Sequence, residues 1–238
     1  MVRKVLVYVE GQTEETFVKR VLVPHLNPMG IALIPILAKT KRTKAGSQFK
    51  GGITSYEKTR REILRLLGDT SAALVTTMID LYGLPKEFPG RDALPAGTCY
   101  ERVARLEQEF GADIGLRRFQ PYLQLHEFEA VVFVAPPEVA RVFPVPDKHA
   151  ELAAICAQFA SPEEIDDGEA TAPSKRLRAL FPGYQKALHS PLIAQRTGLA
   201  AIREQCRHFD EWLIRVEHLA PAADPVYHES TPDPEQPT

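Results

Sequence analysis

Strand-like and helix-like segments alternate over the first 135 residues, and this alternation limits the fold more than any other feature of the sequence. Val5–Val9 is a continuous apolar run, which is typical of a central strand that is buried on both faces. From Thr13, a suitable N-cap residue, apolar residues recur at helical spacing. Strands that alternate with helices pair in parallel. We therefore predict an α/β fold with a four-stranded, mainly parallel central sheet flanked by helices.

Three further segments supply the other predicted strands. Ile31–Ala38 is apolar, and Pro35 within it favours an edge position because proline has no N–H to donate to a neighbouring strand. Ala72–Asp80 is the third predicted strand, and the fourth lies near Phe119–Leu125. Predicted helices lie between these strands, from about Thr54 and over Cys99–Phe110.

The second half of the chain has the pattern of successive helices, which we expect to pack on the sheet rather than to form a separate core. The predicted helical segments are 136–143, 148–160, 161–165, 172–181 and 198–219. Residues 221–238 contain five prolines and no strong apolar pattern, so we predict a disordered tail. One α/β domain with a helical C-terminal extension is therefore expected over residues 1–220.

Composition says little about which kind of partner the protein binds. The formal net charge of −2 gives no general attraction to nucleic acid or to a membrane surface, so a basic patch would have to be local. The apolar run at the N-terminus is too short for a signal sequence, and no stretch approaches the ~18 apolar residues of a membrane span. These features predict a cytoplasmic protein without a membrane partner.

P-loop, HExxH and GxSxG motifs are absent from the sequence, which leaves ATP hydrolysis and serine hydrolysis without support.

Acidic residues follow the predicted strands at the edge where α/β sheets bind ligands. Glu10 ends the first strand, Asp80 ends the third, and Glu14 lies in the first turn of the first helix. Glu127 and Glu129 follow the fourth strand. The carboxyl ends of parallel strands meet at one edge, so we expect these acids to converge. Converging carboxylates raise one another's pKa or bind a cation, and oxygen ligands favour Mg²⁺ or Mn²⁺. All five acids are therefore candidate metal ligands.

Each acid also has an ordinary structural explanation. Glu14 and Glu15 complement the helix dipole in a first turn, and a single acid after a strand is often a loop residue or a helix cap. Glu127 and Glu129 share a face only in an extended segment, so a helix that begins at His126 leaves at most one of them as a ligand. His126 is either a general acid, a residue that orients Glu127, or a structural helix cap.

A basic segment follows the second strand, so it lies at the same edge of the sheet as the acids. Its positive residues are Lys39, Lys41, Arg42, Lys44 and Lys50. Such residues can neutralise phosphates and produce salt-dependent binding to nucleic acid, and Phe49 can stack on a base. The alternative is a solvated loop that binds nothing. We predict that Lys41–Gly51 is mobile without ligand and becomes ordered on nucleic acid.

Several of these segments together resemble a known family. The sequences "VEGQTEETFV", "MIDLYGLP", "LHEFEA", "APSKRL" and "CRHFDEWL" are similar to the bacterial family called domain of unknown function 4276, over about residues 4–216. That family is placed in the Toprim-like superfamily, with the nuclease domains of OLD-family (overcoming lysogenization defect) proteins, topoisomerases and DnaG-type primases. The resemblance implies a Toprim-type sheet, divalent-metal chemistry on a phosphodiester, and a role in bacterial (phage) defence.

The resemblance also implies roles for individual residues. The first glutamate motif, the OLD-type second glutamate and the first acid of the DxD motif fall on Glu10, Glu14 and Asp80. The second acid of DxD is replaced by Tyr82, and Glu127 or Glu129 would have to fill the gap. The late lysine of OLD-type nucleases corresponds to Lys175 or Lys186.

Two functions follow from these observations. The first is a metal-dependent phosphodiester-cleaving enzyme that acts on DNA or RNA, in which Glu14 binds a second ion or acts as a base and His126 and Lys186 complete the catalytic set. The second is a non-catalytic Toprim-like module that binds nucleic acid, a nucleotide or a partner protein, and the replacement at Tyr82 favours it. A partner ATPase and the oligomeric state are left open.

Overall fold

The protein has a parallel β-sheet between layers of helices. The structure, a computed structural model, describes residues 2–39, 53, 55–166, 168 and 171–221. Its strands are β1 (Arg3–Val9), β2 (Ile31–Leu37), β3 (Ala72–Asp80), β4 (Phe119–Gln120) and β5 (Leu123–Gln124). The strand order is β2-β1-β3-β4, β5 also pairs with β3, and all the pairs in the described residues are parallel. The predicted α/β class with a mainly parallel sheet is confirmed, and β2 is at the edge as predicted.

The fourth strand predicted near Phe119–Leu125 is present there as two short strands, β4 and β5. Pro121 and Tyr122 separate β4 from β5, and Pro121 has no N–H with which to continue the pairing. The side chain of Thr77 on β3 replaces the missing backbone contacts. Its Oγ1 accepts the N–H of Tyr122 at 2.9 Å and donates to the carbonyl of Tyr122 at 2.8 Å.

The helices differ from the predicted set in several places. They are α1 (Gln12–Phe17), α2 (Val23–Leu26), α3 (Tyr56–Leu67), α4 (Cys99–Ile114), α5 (Pro136–Val142), α6 (Pro146–Cys156), α7 (Pro173–Leu180), α8 (Lys186–Thr197), α9 (Leu199–Gln205) and α10 (Arg207–Glu217). The N-cap of α1 is Gly11 rather than Thr13. The segment predicted as one helix over 198–219 is two helices that break at Cys206, and α8 was absent from the prediction.

Both faces of the sheet are covered. Val5, Val7 and Val9 of β1 lie in a core with α1 and α10, whereas Leu6 and Tyr8 lie in a second core with α3 and α4. Successive residues of a strand point to opposite faces, so a strand that is covered on both sides requires an uninterrupted apolar run. This requirement explains why β1 is apolar up to its last residue, Val9. The acidic segment therefore begins directly after the strand ends.

Helices α5, α6 and α7 form a third hydrophobic cluster, together with Ile193 of α8. A 3-10 helix over Phe128–Val134 separates this cluster from the sheet. Its residues Val131 and Val134 pack toward the sheet, while Val132 and Phe133 pack into the third cluster. The predicted helical C-terminal half is confirmed: α9 and α10 contribute to the core of the sheet, and this 3-10 helix joins α5–α7 to that core.

Two stretches from the sequence analysis lie outside the described residues. These are residues 40–52, which contain most of the basic segment, and residues 222–238, which contain most of the predicted tail. In the described part of the chain, no helix is long and apolar enough to span a membrane.

Candidate functional site

The carboxyl ends of β1 and β3 bring two acidic residues together, as the sequence predicted. Asp80 is the last residue of β3, and Glu10 follows β1 directly. Glu10 Oε2 accepts the backbone N–H of Asp80 at 3.0 Å, and Asp80 Oδ1 accepts the backbone N–H of Phe128 at 2.8 Å. These two carboxylates therefore connect the ends of both strands to the start of the 3-10 helix.

Glu14 closes the first turn of α1 beside them. Its Oε2 accepts the backbone N–H of Gly11 at 2.8 Å, so the structural explanation, a capping contact, holds for this residue. A Cβ at position 11 would lie 3.1 Å from the same oxygen, so glycine gives the carboxylate room to fold back. Glu15, by contrast, pairs with Lys19 at 2.6 Å on the outer side of the helix. Glu14 is thus the acid of this pair that belongs to the site.

Lys186 enters the acidic cluster from the C-terminal helices. It is the first residue of α8, and its Nζ lies 3.0 Å from Asp80 Oδ2 and 2.8 Å from Glu129 Oε2. The Lys186 side chain is 29% exposed, whereas Glu129 is fully buried. Of the two late lysines left open by the resemblance, Lys186 lies in the cluster and Lys175 is exposed on α7. One ammonium therefore reaches from solvent to the sheet edge.

Glu127 and Glu129, which the sequence could not separate, have different partners. Glu127 Oε2 accepts the backbone N–H of Ser174 at 2.8 Å, and its Oε1 accepts the hydroxyl of Ser174 at 2.9 Å. Ser174 lies in the first turn of α7, so both oxygens of Glu127 cap that helix. Glu129 instead pairs with Lys186 and is the one of the two that joins the cluster at the strand ends.

His126 turns the chain between β5 and the 3-10 helix. Its φ of 57° lies in the left-handed region that residues other than glycine adopt at a cost in strain. Its carbonyl accepts the backbone N–H of Tyr82 at 2.9 Å, and the His126 side chain is buried. Tyr82, which stands in place of the second DxD acid, is 40% exposed. The geometry gives His126 a role in the turn, and its predicted role in proton transfer stays a prediction.

Burial and mutual repulsion change the ionisation of the cluster. Burial, and then the charges of Asp80 and Glu14, raise the pKa of Glu10 well above its ordinary value, against the opposing effect of Lys186. Burial and the charge of Asp80 raise the pKa of Glu14 to about 8. Burial raises the pKa of Glu129 to about 7, although the Lys186 ammonium opposes it. Burial lowers the pKa of Lys186, but Asp80 and Glu129 outweigh this and raise it. Negative charge is therefore in excess at this edge.

The predicted metal ligands are close together but are not arranged around one point. Within the described ranges, no group of three or more His, Cys, Asp or Glu side chains is already arranged to hold a metal ion. The contacts above supply the reason, because Asp80 and Glu129 each direct an oxygen to Lys186, and Glu127 directs both of its oxygens to Ser174. Metal binding by these acids stays a prediction.

The nucleic-acid-binding prediction falls mostly outside the described residues. Lys39 is exposed just after β2, and its backbone N–H donates to Glu62 Oε2 at 3.4 Å. The other four basic residues, Lys41, Arg42, Lys44 and Lys50, lie outside the described part of the chain. Their contribution stays a prediction.

Sequence reasoning missed two hydroxyl residues that contact the acids and a third that contacts one of these two. Ser174 holds Glu127, Ser190 donates to Glu129 Oε1 at 3.3 Å, and the Tyr184 hydroxyl is hydrogen-bonded to Ser190 Oγ. A usable signal was present in the four-residue spacing of Lys186 and Ser190, which places both on one face of a helix. This spacing was not read as helical because Pro191 follows, and a proline inside a segment argues against a helix.

Comparison with known proteins identifies the family. Neither the comparison with curated proteins nor the comparison with solved structures gave a match. The family model described as "Domain of unknown function (DUF4276)" matches residues 9–217. This span contains all the acids of the site and Lys186. The chain therefore belongs to the DUF4276 family.

Proposed function

We propose that this protein is a metal-dependent, nuclease-like enzyme that cleaves phosphodiesters. The observation that carries the proposal is the meeting of four acids and one lysine at the carboxyl edge of a parallel sheet, where α/β proteins bind their ligands. The residues are Glu10, Glu14, Asp80, Glu129 and Lys186. The likeness of the acidic motifs to Toprim-like nucleases, and through it a role in bacterial defence, belongs to the same proposal.

The donor set suits Mg²⁺ or Mn²⁺. Glu10, Glu14 and Asp80 offer carboxylate oxygens, which are the ligands that these hard cations prefer. Burial, and then the charge of Asp80, raise the pKa of Glu10 and of Glu14, so a bound cation would relieve a repulsion that the fold already contains. When bound, the ion would polarise the phosphate and make a bound water more acidic. We assign Glu10, Glu14 and Asp80 as the residues that would hold it.

Other residues of the chain would have separate roles in binding and catalysis. The Lys186 side chain is partly exposed, and its ammonium carries a charge that can neutralise a phosphate oxygen of the substrate. Where Glu14 does not hold an ion, its pKa of about 8 would instead suit it to act as a general base. Glu10 holds the backbone of Asp80 and so keeps the two strand ends in register. The basic residues of the segment from Lys39 to Lys50 would bind the rest of a DNA or RNA strand.

A cleavage assay with matched variants tests the proposal. Purified protein is incubated with single- and double-stranded DNA and RNA, with Mg²⁺, Mn²⁺ or a chelator. We expect cleavage that requires the metal ion and falls about 100-fold or more in Glu10→Gln, since a metal ion contributes several kcal/mol to such reactions. Glu15→Gln is the control, because Glu15 pairs with Lys19 on the outer side of α1. Metal-independent cleavage, or equal rates in Glu10→Gln and wild type, would refute the proposal.

The second candidate is a non-catalytic module that binds nucleic acid, a nucleotide or a partner protein. Two observations favour it: Lys186 already pairs with Asp80 and Glu129, and the exposed Tyr82 replaces the second DxD acid. It predicts saturable ligand binding that a chelator does not change, with no turnover under any metal condition. The same set of assays separates the two candidates.

A further inference from the structure

Behind Lys186 lie two hydroxyl groups that the proposed chemistry does not use. Ser190 follows Lys186 by one helical turn on α8, so both side chains lie on the same face of the helix. Ser190 is fully buried and Tyr184, just before α8, is 6% exposed. The Tyr184 hydroxyl and Ser190 Oγ are hydrogen-bonded to each other. These hydroxyls therefore contact each other inside the protein rather than solvent.

Glu129 joins these hydroxyls to the lysine. Its Oε1 lies 3.3 Å from Ser190 Oγ, and its Oε2 lies 2.8 Å from Lys186 Nζ. A fully buried carboxylate is costly unless it is both paired with a cation and hydrogen-bonded. Two residues of α8, one turn apart, supply these two partners. The carboxylate is thereby fixed against one face of that helix.

The hydrogen bonds of this group have a single direction. In the ion pair with Lys186, Glu129 is a carboxylate that only accepts, so in this state the one proton of the Ser190 hydroxyl goes to Glu129. Ser190 Oγ must then accept from the Tyr184 hydroxyl. At the other end, the Lys186 ammonium donates to Asp80 Oδ2 at 3.0 Å and forms an ion pair with Glu129 Oε2 at 2.8 Å. A continuous set of contacts therefore runs from Tyr184, in the third hydrophobic cluster, to Asp80 at the sheet edge.

We propose that Ser190 and Tyr184 are positioning residues, which orient the carboxylate of Glu129 so that it holds the Lys186 ammonium at Asp80. Lysine carries its charge on a flexible four-carbon chain, so a fixed counter-ion is what gives the ammonium one position. The proposal rests on the proposed function only for the claim that Lys186 meets a substrate phosphate. The contacts that position Lys186 exist without substrate and can be tested without it.

Competitive acetylation of lysines measures the positioning directly. Protein is treated with limiting acetic anhydride, and the acetylation rate of Lys186 is measured by mass spectrometry relative to the exposed Lys19. In wild type we expect Lys186 to be protected. Ser190→Ala and Tyr184→Phe should each increase its relative rate roughly threefold to tenfold, which is the size of one lost hydrogen bond. Ser190→Thr, which keeps the hydroxyl, should restore the protection.

A matched control separates positioning from general stability. Thr76→Val removes another fully buried hydroxyl, which accepts the Trp212 Nε1–H at 2.9 Å and does not contact Glu129. It should lower the melting temperature and leave the acetylation of Lys186 unchanged. The proposal is overturned if the folded Tyr184→Phe variant protects Lys186 as wild type does, or if Thr76→Val exposes it equally. If Ser190→Ala does not fold, Tyr184→Phe alone tests the proposal, because it removes only the hydroxyl oxygen that contacts Ser190.

Failure of the proposed function would look different. A wild-type protein that cleaves no phosphodiester with any metal ion, but still shows the acetylation contrast, would refute the enzymatic proposal and keep the positioning. An active enzyme whose variants all show equal acetylation of Lys186 would refute the positioning proposal and keep the enzymatic one.

Discussion

Replacing Glu14 with glutamine should stabilise the folded protein at neutral pH, because the fold holds this carboxylate where its charge is unfavourable. Glu14 is 2% exposed, and burial together with the charge of Asp80 raises its pKa from 4.5 to about 8. Glutamine has nearly the same size and keeps an oxygen that can accept the N–H of Gly11, but it carries no charge. The substitution therefore removes the repulsion and keeps the helix cap.

The pKa values give the sign and the size of the effect. A folded-state pKa above the unfolded value means that stability is fully present below pH 4.5 and is lost as the pH rises toward about 8. At about 1.4 kcal/mol per pKa unit, the loss at pH 7 is on the order of 3 kcal/mol. We expect Glu14→Gln to exceed wild type in unfolding free energy by roughly 1–3 kcal/mol at pH 7 and by almost nothing at pH 4.5.

Urea unfolding of wild type, Glu14→Gln and Glu15→Gln at pH 4.5, 7 and 8 measures the difference. Glu15→Gln is the matched control, because Glu15 belongs to the same helical turn but forms only a surface ion pair with Lys19. Its unfolding free energy should stay within about 0.5 kcal/mol of wild type at each pH. A Glu14→Gln variant that is less stable than wild type at pH 7, or a gap that does not change with pH, would refute the repulsion argument.

Three further predictions concern other parts of the chain. Burial opposes the charged form of His208, but its hydrogen bond to Glu107 raises its pKa. The pair should therefore stabilise the fold below about pH 6.5 and lose this effect as the pH rises through the folded-state pKa, a dependence that His208→Gln should abolish in urea unfolding. Ser174→Ala should lower the unfolding free energy by about 1–3 kcal/mol, because buried Glu127 loses a donor, and unchanged stability would contradict the capping role. Charge reversal of the three basic residues in segment 41–44 should weaken nucleic-acid binding and flatten its salt dependence in titrations, while an unchanged slope would leave only a solvated loop.

The positions of Glu10 and Asp80 followed from the sequence because few alternatives exist for such strands. A run without polar residues must be covered on both faces, which implies a parallel sheet, and the ends of adjacent parallel strands meet. The structure places these two residues in direct contact, because the Glu10 carboxylate accepts the backbone N–H of Asp80. The edge position of β2 followed in the same way from Pro35, which cannot donate to a second neighbour.

Features that depend on packing between distant segments could not be predicted. The choice between Glu127 and Glu129 depends on Ser174 and Lys186, which lie more than 40 residues away and act from helices whose placement no local pattern reveals. Helix α8 was missed because Pro191 lies within it. The same missing helix explains why the sequence could not exclude Lys175 as the late lysine in favour of Lys186.

The most direct test of the account is the anomalous X-ray signal of crystals soaked in Mn²⁺. The account predicts a peak at the sheet edge, with carboxylate oxygens of Glu10 and Asp80 at ~2.0–2.2 Å, and no such peak in Glu10→Gln crystals that retain the fold. An empty edge at saturating Mn²⁺, with Lys186 still bridging Asp80 and Glu129, would contradict the metal-dependent function.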